Sequence, residues 1–469
     1  YLILLEELEG DIMKSELKNL FDDSKIDYGD VRFENNNQTE IRFENQDLKE
    51  VKSSYREGGH LRVYNRGVKA VNSFSQLKDA LQVKNKLADS ISGTEDLISK
   101  KAELKAAEVI KDKSFVETNS NPKDYSLEEK KELLEGYNRL ALEQDHVIKT
   151  DFTYRDFYSR RIFINSEGSE IEYDLLGSLI SGAVYAKKDG VVQLKRVSFG
   201  GFPEFENLLN REDDLLKEID ILQQMLDADP IKAGNYPVII NQALAAVFIH
   251  EAFGHLSEAD IVKNNPAFRD KLQTGKKLGR EILTVIDDPG IKNTPANYKY
   301  DDEGQPGQKT TLIDQGILSG RLHSRETAAD FNEPLSGNMR AVDCKYPPII
   351  RMSNIYIAEG ESEVEAMISS IDNGYYICNG RGGQTTGDQF TFGAEYGYKI
   401  ENGQKKGMVR DINLSGELFA TLNRISMVGN DLNFREVGGC GKGSPMQLNI
   451  FSGMGAPHIK VDQVNIGGV

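Results

Sequence analysis

The sequence predicts an α+β protein with two domains. A chain of 469 residues is longer than a single hydrophobic core usually supports. Segments with two-residue hydrophobic periodicity, typical of strands, alternate with segments of three- and four-residue periodicity, typical of helices. We expect an N-terminal domain of mixed sheet and helix over residues 1–228. A mostly antiparallel β domain, carrying one buried helix, should occupy residues 229–469.

The first half of the N-terminal domain predicts strands followed by helices. Residues 28–71 alternate apolar and polar side chains, as a half-buried sheet requires. A helical insert is expected near 75–145, because residues 84–112 are rich in Lys, Glu, Ala and Leu with helical spacing of the apolar positions. Ser126 and Glu129 form the pattern of a capping box, which predicts a helix start.

The second half returns to strands. Residues 151–168 and 181–201 have strand periodicity, and Asp189-Gly190 predicts a hairpin turn inside the second segment. A helix is expected at about 204–227. The polar stretch DPIKAGNYP that follows it is where we place the domain boundary.

The C-terminal domain begins with a strand, PVII, and a helix. Asn241 is a suitable N-cap for ALAAVFIHEAFGH, which is apolar nearly all round and should therefore be buried. Strands and turns dominate beyond residue 280, with hairpin turns at the Gln-Gly of 315–316 and the Asn-Gly of 402–403. A further helix is expected near 362–371.

Composition excludes several classes of protein. Hydrophobic content of 39% and charged content of 28% are those of a globular protein. The sequence contains no apolar run of 18 or more residues, so no membrane-spanning helix is expected. Residues 1–11 lack a basic n-region, so no secretory signal is expected. Three cysteines in so long a chain favour a reducing, cytoplasmic location. The net charge of −17 speaks against direct nucleic-acid binding.

The stretch FIHEAFGHLSEAD contains the most informative residues, His250, Glu251 and His255. The familiar zinc-peptidase pattern is H-E-x-x-H, whereas here one more residue separates the histidines. On a regular helix, positions five apart differ by roughly 140° around the axis, so both side chains cannot reach one ion. A π-bulge, or a break of the helix at Gly254, would bring them together. The residues alone support a metal site and buried core histidines about equally.

A zinc site would need a third ligand and an open position for water. Cys440 lies between glycines in REVGGCGKGSP, where the backbone can approach a site closely. Cys344 and Cys378 lie in apolar strand-like settings, where a free cysteine is usually a small hydrophobic residue. His323 and His458 remain alternatives, each more typical of a packing or surface residue.

These residues resemble the TldD/PmbA family of metallopeptidases, and the TldD branch in particular. HEAFGHLSEAD is similar to the family signature HEAxGHxxExD. Further blocks resemble the family in the same order along most of the chain: SYREGGHLRVYNRG, INSEGSEI, DDEGQPGQKTTLIDQGILSG, PPIIRMSNIYIAEG, GGQTTGDQFTF and VGGCGKGSPMQ. The region around 80–135 is the part of the chain that the resemblance covers least.

The resemblance implies a zinc-dependent peptidase that cleaves unfolded or flexible peptides. It implies one Zn²⁺ per chain held by His250, His255 and Cys440, with Glu251 as the general base. It also implies a cytoplasmic homodimer, or a heterodimer with a PmbA-like subunit, whose active site faces an enclosed cavity.

Several roles stay open at the level of sequence. Glu258 and Asp260 either orient the histidine ligands or solvate the end of the helix. The acidic turn at 301–308 is either near the cavity or an ordinary solvated turn. Residues 384–400 either accept an extended substrate at a strand edge or form ordinary core sheet. A non-catalytic, zinc-stabilised assembly subunit and a metal hydrolase of non-peptide amides are the alternative functions.

Overall fold

The computed structural model describes residues 13–21, 26–97 and 100–468 and has the expected α+β fold. The segment 1–11, on which the expectation about a secretory signal depends, lies outside the described residues. The longer helices are α1 (Ala80–Ile91), α2 (Leu127–Leu142), α3 (Glu212–Asp227), α4 (Gln242–Ala252), α5 (Ala259–Asn264), α6 (Pro266–Lys271), α7 (Arg325–Phe331), α8 (Val364–Ser369) and α9 (Leu418–Leu422).

The N-terminal part is one twisted sheet built from long hairpins. Its strands are β1 (Tyr28–Glu44), β2 (Asp47–Asn65), β3 (Val68–Phe74), β4 (Lys111–Ser114), β5 (Val147–Asn165), β6 (Glu170–Lys188) and β7 (Val191–Gly201). The strand order is β3-β2-β1-β5-β6, and both β4 and β7 pair with β6. Of these pairings only β4 with β6 is parallel among the described residues. The predicted capping box of α2 is confirmed, as is the hairpin turn at Asp189-Gly190.

The predicted helix over residues 84–112 is correct only in its first part. Helix α1 ends at Ile91, residues 101–110 have no regular secondary structure, and the chain then forms β4. The backbone N–H of Ala102 donates to the carbonyl of Gly67, and that of Lys105 to the carbonyl of Arg325. Long-range pairing of this kind replaces the intrahelical bonds that Lys, Glu and Ala would favour, because intrinsic propensity is a weak preference.

The C-terminal part consists of mostly antiparallel strands around α4, as predicted. Its strands are β8 (Asp229–Pro230), β9 (Gly234–Ile240), β10 (Val285–Asp287), β11 (Thr310–Asp314), β12 (Ile317–Leu318), β13 (Met339–Arg340), β14 (Ile349–Ile350), β15 (Asn354–Ile357), β16 (Asn373–Thr386), β17 (Gln389–Glu401), β18 (Gln404–Arg410), β19 (Ile412–Glu417), β20 (Ile425–Val428), β21 (Asn433–Phe434), β22 (Cys440–Lys442), β23 (Gln447–Asn449), β24 (Gly453–Ala456) and β25 (Ile459–Gly468). The hairpin turns at 315–316 and 402–403 and the helix near 362–371 are confirmed.

Two sheets of this part enclose α4. Strands β16, β9, β25, β19 and β17 pair in that order, and β17 pairs back to β16, so the ladder closes on itself. A second sheet runs β12-β11-β10-β15-β24-β21. The ring of Phe248 on α4 lies edge-on to Phe390 and Phe392, with centroids 5.4 and 6.0 Å apart. Both phenylalanines of β17 therefore belong to the core, which favours the ordinary-sheet interpretation of their segment.

The acidic turn after residue 300 joins the two parts and is not a solvated turn. Asp302 and Glu303 are 2% and 1% exposed. Asp302 accepts from the Arg161 guanidinium at 2.8 Å, and Glu303 pairs with Arg62 at 2.5 Å. Breaking a buried pair by removing one partner costs about 3–5 kcal/mol. These carboxylates therefore anchor the C-terminal part to strands β2 and β5 of the N-terminal sheet.

The chain passes from α3 into β8 at residues 227–229, where the sequence places the domain boundary. Strand β8 already pairs with β18 of the C-terminal sheet. The boundary at 228/229 stays a prediction. Within the described residues, no helix is both long and apolar enough to cross a membrane.

Candidate metal centre

The helix that carries His250 begins and ends for local reasons. The Asn241 side chain accepts a hydrogen bond from the Leu244 N–H at 3.1 Å, the expected N-cap. Helix α4 ends at Ala252, Phe253 caps it, and Gly254–Ser257 form a 3₁₀ turn. Of the two geometries left open by the sequence, the chain adopts the break and not the π-bulge. A Cβ atom at Gly254 would lie 2.1 Å from the sulfur of the buried Met352, so a larger residue here would force Met352 to shift.

The break brings the two histidines to one side. Their ring centroids are 5.4 Å apart, and the Cys440 Sγ lies 3.2 Å from His255 Nε2. One potential ligand atom from each of His250, His255 and Cys440 lies within 4.8 Å of the other two. Among the described residues this is the one cluster of at least three such side chains with metal-binding geometry. The predicted ligands, which are far apart in sequence, therefore meet in space.

His250 supplies the test of whether these residues fit a metal ion. Its side chain is fully buried, and neither ring nitrogen has a hydrogen-bond partner among the described residues. Burial, followed by the neighbouring charge of His255, lowers the pKa of His250 to about 3. A buried, neutral and unpartnered imidazole is costly unless something binds it, and neutral imidazole is the form that ligates metals. The donor set fits a metal ion.

His255 is held by a buried carboxylate. Its Nδ1 lies 3.1 Å from the Glu258 carboxylate, and Glu258 is 1% exposed. Burial alone would lower the pKa of His255, but the charge of Glu258 and the Cys440 contact outweigh it and raise this pKa to about 11. Metal ligation needs the neutral ring, so an ion that binds here displaces the proton. Glu258 thus contacts the candidate ligand directly rather than solvating a helix end.

Asp260 shares a basic partner with Glu258. Lys442 donates to Asp260 at 2.8 Å and lies 2.9 Å from the Glu258 carboxylate. The lysine therefore bridges the two acids and links the segment after His255 to strand β22. Burial raises the pKa of Glu258, but the charges of Lys442 and then His255 outweigh it and lower this pKa to about 2.

The hairpin β22–β23 that carries Cys440 is fastened by residues that the sequence analysis missed. Arg351 donates to the Cys440 carbonyl at 2.5 Å and to the Gln447 carbonyl at 3.0 Å, one on each strand. Lys442 also donates to the Ile350 carbonyl at 2.9 Å. Arg351 and Lys442 occur in the blocks PPIIRMS and GGCGKGS, but nothing in their spacing indicates that they hold the hairpin of Cys440.

Glu251 lies between the cluster and a large cleft. Its carboxylate is 4.0 Å from His255 Nε2, and its side chain is partly exposed. Burial raises the pKa of Glu251, His255 lowers it, and Glu258 raises it further. An open cleft of about 1190 Å³ runs between the N-terminal sheet and the C-terminal part, and Glu251 forms part of its wall together with Gly438 and Gly439. The carboxylate is thus accessible to a molecule bound in the cleft.

The alternative ligand candidates lie in other surroundings. His323 contacts Thr327 and Glu333, and His458 lies between Asp431 and Tyr376. In both residues each ring nitrogen has a protein partner, so both are packing residues. Cys344 and Cys378 are buried free thiols outside the cluster, in agreement with the sequence-based interpretation.

Family models cover most of the chain. Residues 29–91 match domain 1, residues 120–232 the central domain, and residues 233–468 the C-terminal domain of the PmbA/TldA metallopeptidases. The uncovered stretch between the first two models, 92–119, falls in the region where the sequence resemblance is weakest.

Individual relatives agree with the family models. A protein named metalloprotease from Synechocystis sp. is 33% identical over 448 residues, which are 95% of this chain and 96% of the relative. A protein named zinc metalloprotease TldD homolog from Saccharolobus solfataricus is 32% identical over 67% of this chain and 70% of its own. The crystal structure of TldE from Thermococcus kodakarensis shares the fold, with a TM-score of 0.76 at 18% identity over 97% of this chain and 100% of that one. The resemblance inferred from the sequence motifs is confirmed: this chain belongs to the PmbA/TldD metallopeptidase family.

Proposed function

We propose that this chain is a zinc-dependent peptidase of the TldD type, with one Zn²⁺ bound by His250, His255 and Cys440. The observation that carries the proposal is the buried, unpartnered imidazole of His250 beside His255 and Cys440. Two imidazole nitrogens and one thiolate form a donor set that zinc favours. The name of the Saccharolobus relative, zinc metalloprotease, supports the same ion.

Zinc at such a site supplies Lewis acidity toward the scissile carbonyl and lowers the pKa of water. Glu251 is placed to take the proton of the attacking water and return it to the leaving amine, because its carboxylate lies at the cleft side of the cluster. Glu258 holds the His255 ring so that Nε2 faces Cys440. Arg351 holds the hairpin that carries the thiol.

The cleft favours extended, flexible peptides as substrates. It is open, has a volume of about 1190 Å³ and includes Glu251 in its wall, which supports a peptide segment as the substrate. Family membership supports a dimer, either with a second copy or with a PmbA-like subunit, that encloses this cleft as a cavity. A cytoplasmic location accords with three free thiols.

The first experiment measures zinc content and peptide cleavage together. Purified wild type, Cys440→Ala and the matched control Cys378→Ala are each analysed for bound metal and for degradation of a flexible peptide. Wild type and the control should hold about one zinc per chain and cleave the peptide, because Cys378 lies outside the cluster. Cys440→Ala should lose both properties. A wild-type protein that takes up no zinc on addition would refute the proposal.

The same experiment separates the alternative functions. Zinc that is bound without any peptide cleavage would favour a structural site in an assembly subunit, in which a fourth protein ligand closes the coordination sphere. Zinc-dependent hydrolysis of a small amide without cleavage of peptides would favour the non-peptide hydrolase.

A further inference from the structure

The charges that line the cleft are unevenly neutralised. Most of its basic side chains form ion pairs with carboxylates: Arg42 with Asp151, Arg155 with Glu40, Lys195 with Glu218 and Glu395, Arg211 with Glu436, and Lys217 with Asp214. Arg196 and Arg435 also line the cleft. Neither has a carboxylate within 4 Å among the residues at 13–21, 26–97 and 100–468.

The guanidinium of Arg435 has no protein partner in the described part of the chain. Arg435 is half-buried, and its guanidinium makes no hydrogen bond to the described residues. Its backbone N–H donates to the carbonyl of Met454. A guanidinium carries five N–H donors, and leaving them unused in a partly desolvated place is unfavourable. Burial lowers the pKa of Arg435, Glu395 opposes this, and Arg196 lowers it further, which places the second guanidinium nearby.

Glu395, the acid whose charge acts most strongly on Arg435, already has other partners. The Glu395 carboxylate accepts from Lys195 at 2.6 Å, from the Asn379 amide at 3.2 Å and from the Arg196 backbone N–H at 3.4 Å. Arg196 donates from its own side chain only to the Arg381 carbonyl, at 2.6 Å. Within the described residues, Arg196 and Arg435 therefore carry positive charge that no carboxylate contacts, in a chain whose net charge is −17.

Arg196 and Arg435 line the same cleft as Glu251 of the proposed reaction centre. Residues 433–439, which lead directly to Cys440, form one wall of the cleft, and Glu251 lies on the same cavity. An anion held by Arg435 would lie in the same cleft as the bond that Glu251 serves.

We propose that Arg435, assisted by Arg196, forms a carboxylate-binding subsite for peptide substrates. The ligand is a peptide carboxylate, either the C-terminal one or that of an Asp or Glu side chain near the scissile bond. Arginine suits this role because its planar fork of donors matches a carboxylate. The inference rests on the proposed peptidase function and adds a substrate preference to it.

Binding is measured with four dye-labelled flexible peptides of one length. Each peptide has either Glu or Gln at one internal position, and either a free carboxylate or an amide at its C-terminus. The protein is the zinc-loaded full chain carrying Glu251→Gln, so that binding is followed without turnover. We expect at least one carboxylate-bearing peptide to bind roughly tenfold more tightly than the fully neutral one. The pair of peptides that shows the difference identifies the source of the carboxylate.

Substitution of Arg435 then tests the assignment. Adding Arg435→Gln should bring the affinity ratio close to one, and Arg435→Lys should restore part of it. The matched control is Arg155→Gln, since Arg155 lines the same cleft but is already paired with Glu40, and it should leave the ratio unchanged. If the carboxylate-bearing peptide still binds more tightly than the neutral one to the same degree in Arg435→Gln, the proposed subsite is wrong. An equal loss for neutral and anionic peptides also overturns it, since Arg435 would then contact the peptide backbone.

Turnover by the chain with Glu251 intact distinguishes failure of this inference from failure of the proposed function. An Arg435-dependent preference in binding, without cleavage of any of the four peptides, would keep the subsite and refute the peptidase. Cleavage of all four peptides with KM values that do not respond to Arg435→Gln would keep the peptidase and refute the subsite.

Discussion

The Nδ1 atom of His255 lies 3.1 Å from the carboxylate of Glu258, three residues further along the chain. This contact fixes the ring so that the opposite nitrogen, Nε2, points to Cys440 Sγ at 3.2 Å. Carboxylates behind histidine ligands set the tautomer and raise the basicity of the ring. In this chain the arrangement depends on the 3₁₀ turn that follows α4, because that turn places His255 and Glu258 on the same side.

Glu258→Gln should weaken metal binding by roughly 10–100-fold, the usual cost of losing such a partner. The amide keeps the shape of the side chain, but it no longer offers a charged acceptor to His255. A competition titration with a chelator measures the affinity. Asp260→Asn is the matched control, because Asp260 contacts Lys442 and not His255, and its effect should be much smaller. Equal affinities for wild type and Glu258→Gln would contradict this role.

Glu251→Gln should retain zinc and lose peptide cleavage by about 10²–10⁴-fold, the range that general-base catalysis supplies. Zinc content and kcat are measured on the same preparation. The matched control is Glu436→Gln, which removes another cleft carboxylate, one that pairs with Arg211, and should leave kcat near the wild-type value. If Glu251→Gln loses its zinc instead, Glu251 is a ligand and the site is closed.

Gly254→Ala should destabilise the protein by about 1–3 kcal/mol, because the new methyl group meets the buried sulfur of Met352. The displacement should also move His255 and weaken zinc binding. Urea denaturation and a zinc titration measure the two effects. Gly136→Ala provides the control, since Gly136 lies in α2 with open space around it, and this change should stabilise by about 0.5–1 kcal/mol. Matching stabilities for Gly254→Ala and wild type would refute the packing argument.

His60→Gln should reduce the sensitivity of the fold to acid. Burial, and then the charges of Arg32 and Arg62, lower the pKa of His60 to about 3. In the unfolded chain this pKa is about 6.5, so acid adds a proton to the unfolded state first. The stability contribution of neutral His60 is complete above pH 6.5 and is lost as the pH falls toward 3.

Urea denaturation of wild type and His60→Gln at pH 7 and pH 5 measures this contribution. Between these pH values wild type should lose roughly 2 kcal/mol more than the variant, from the linkage of one such proton. Identical losses in the two proteins would show that His60 is protonated equally in the folded and unfolded states.

Much of the local structure follows from the sequence, because short-range rules specify it. Alternation of apolar residues predicts β1 and β5, glycine-containing pairs predict the hairpin turns, and Ser126 and Asn241 predict helix starts. Each of these signals acts between residues a few positions apart. The same holds for His250, Glu251 and His255, whose residue types indicate metal chemistry before any fold is known.

Tertiary contacts decided what local rules left open. Residues 101–110 have helical composition but pair with Gly67 and Arg325, and the acidic turn at Asp302 is buried against arginines of the N-terminal sheet. Both outcomes depend on partners more than 30 residues away, which no window of the sequence contains.

The candidate metal site also depends partly on the local sequence and partly on tertiary contacts. The sequence by itself determined the family, the two histidines with their glutamate, and the preference for Cys440 among three cysteines. Only the tertiary structure decided that α4 breaks at Phe253 rather than bulging, that Cys440 reaches His255, and that Arg351 and Lys442 hold its hairpin. The physical reason is packing: the turn after the helix places Gly254 against the sulfur of Met352, and the cysteine is positioned by hydrogen bonds from residues distant in the chain.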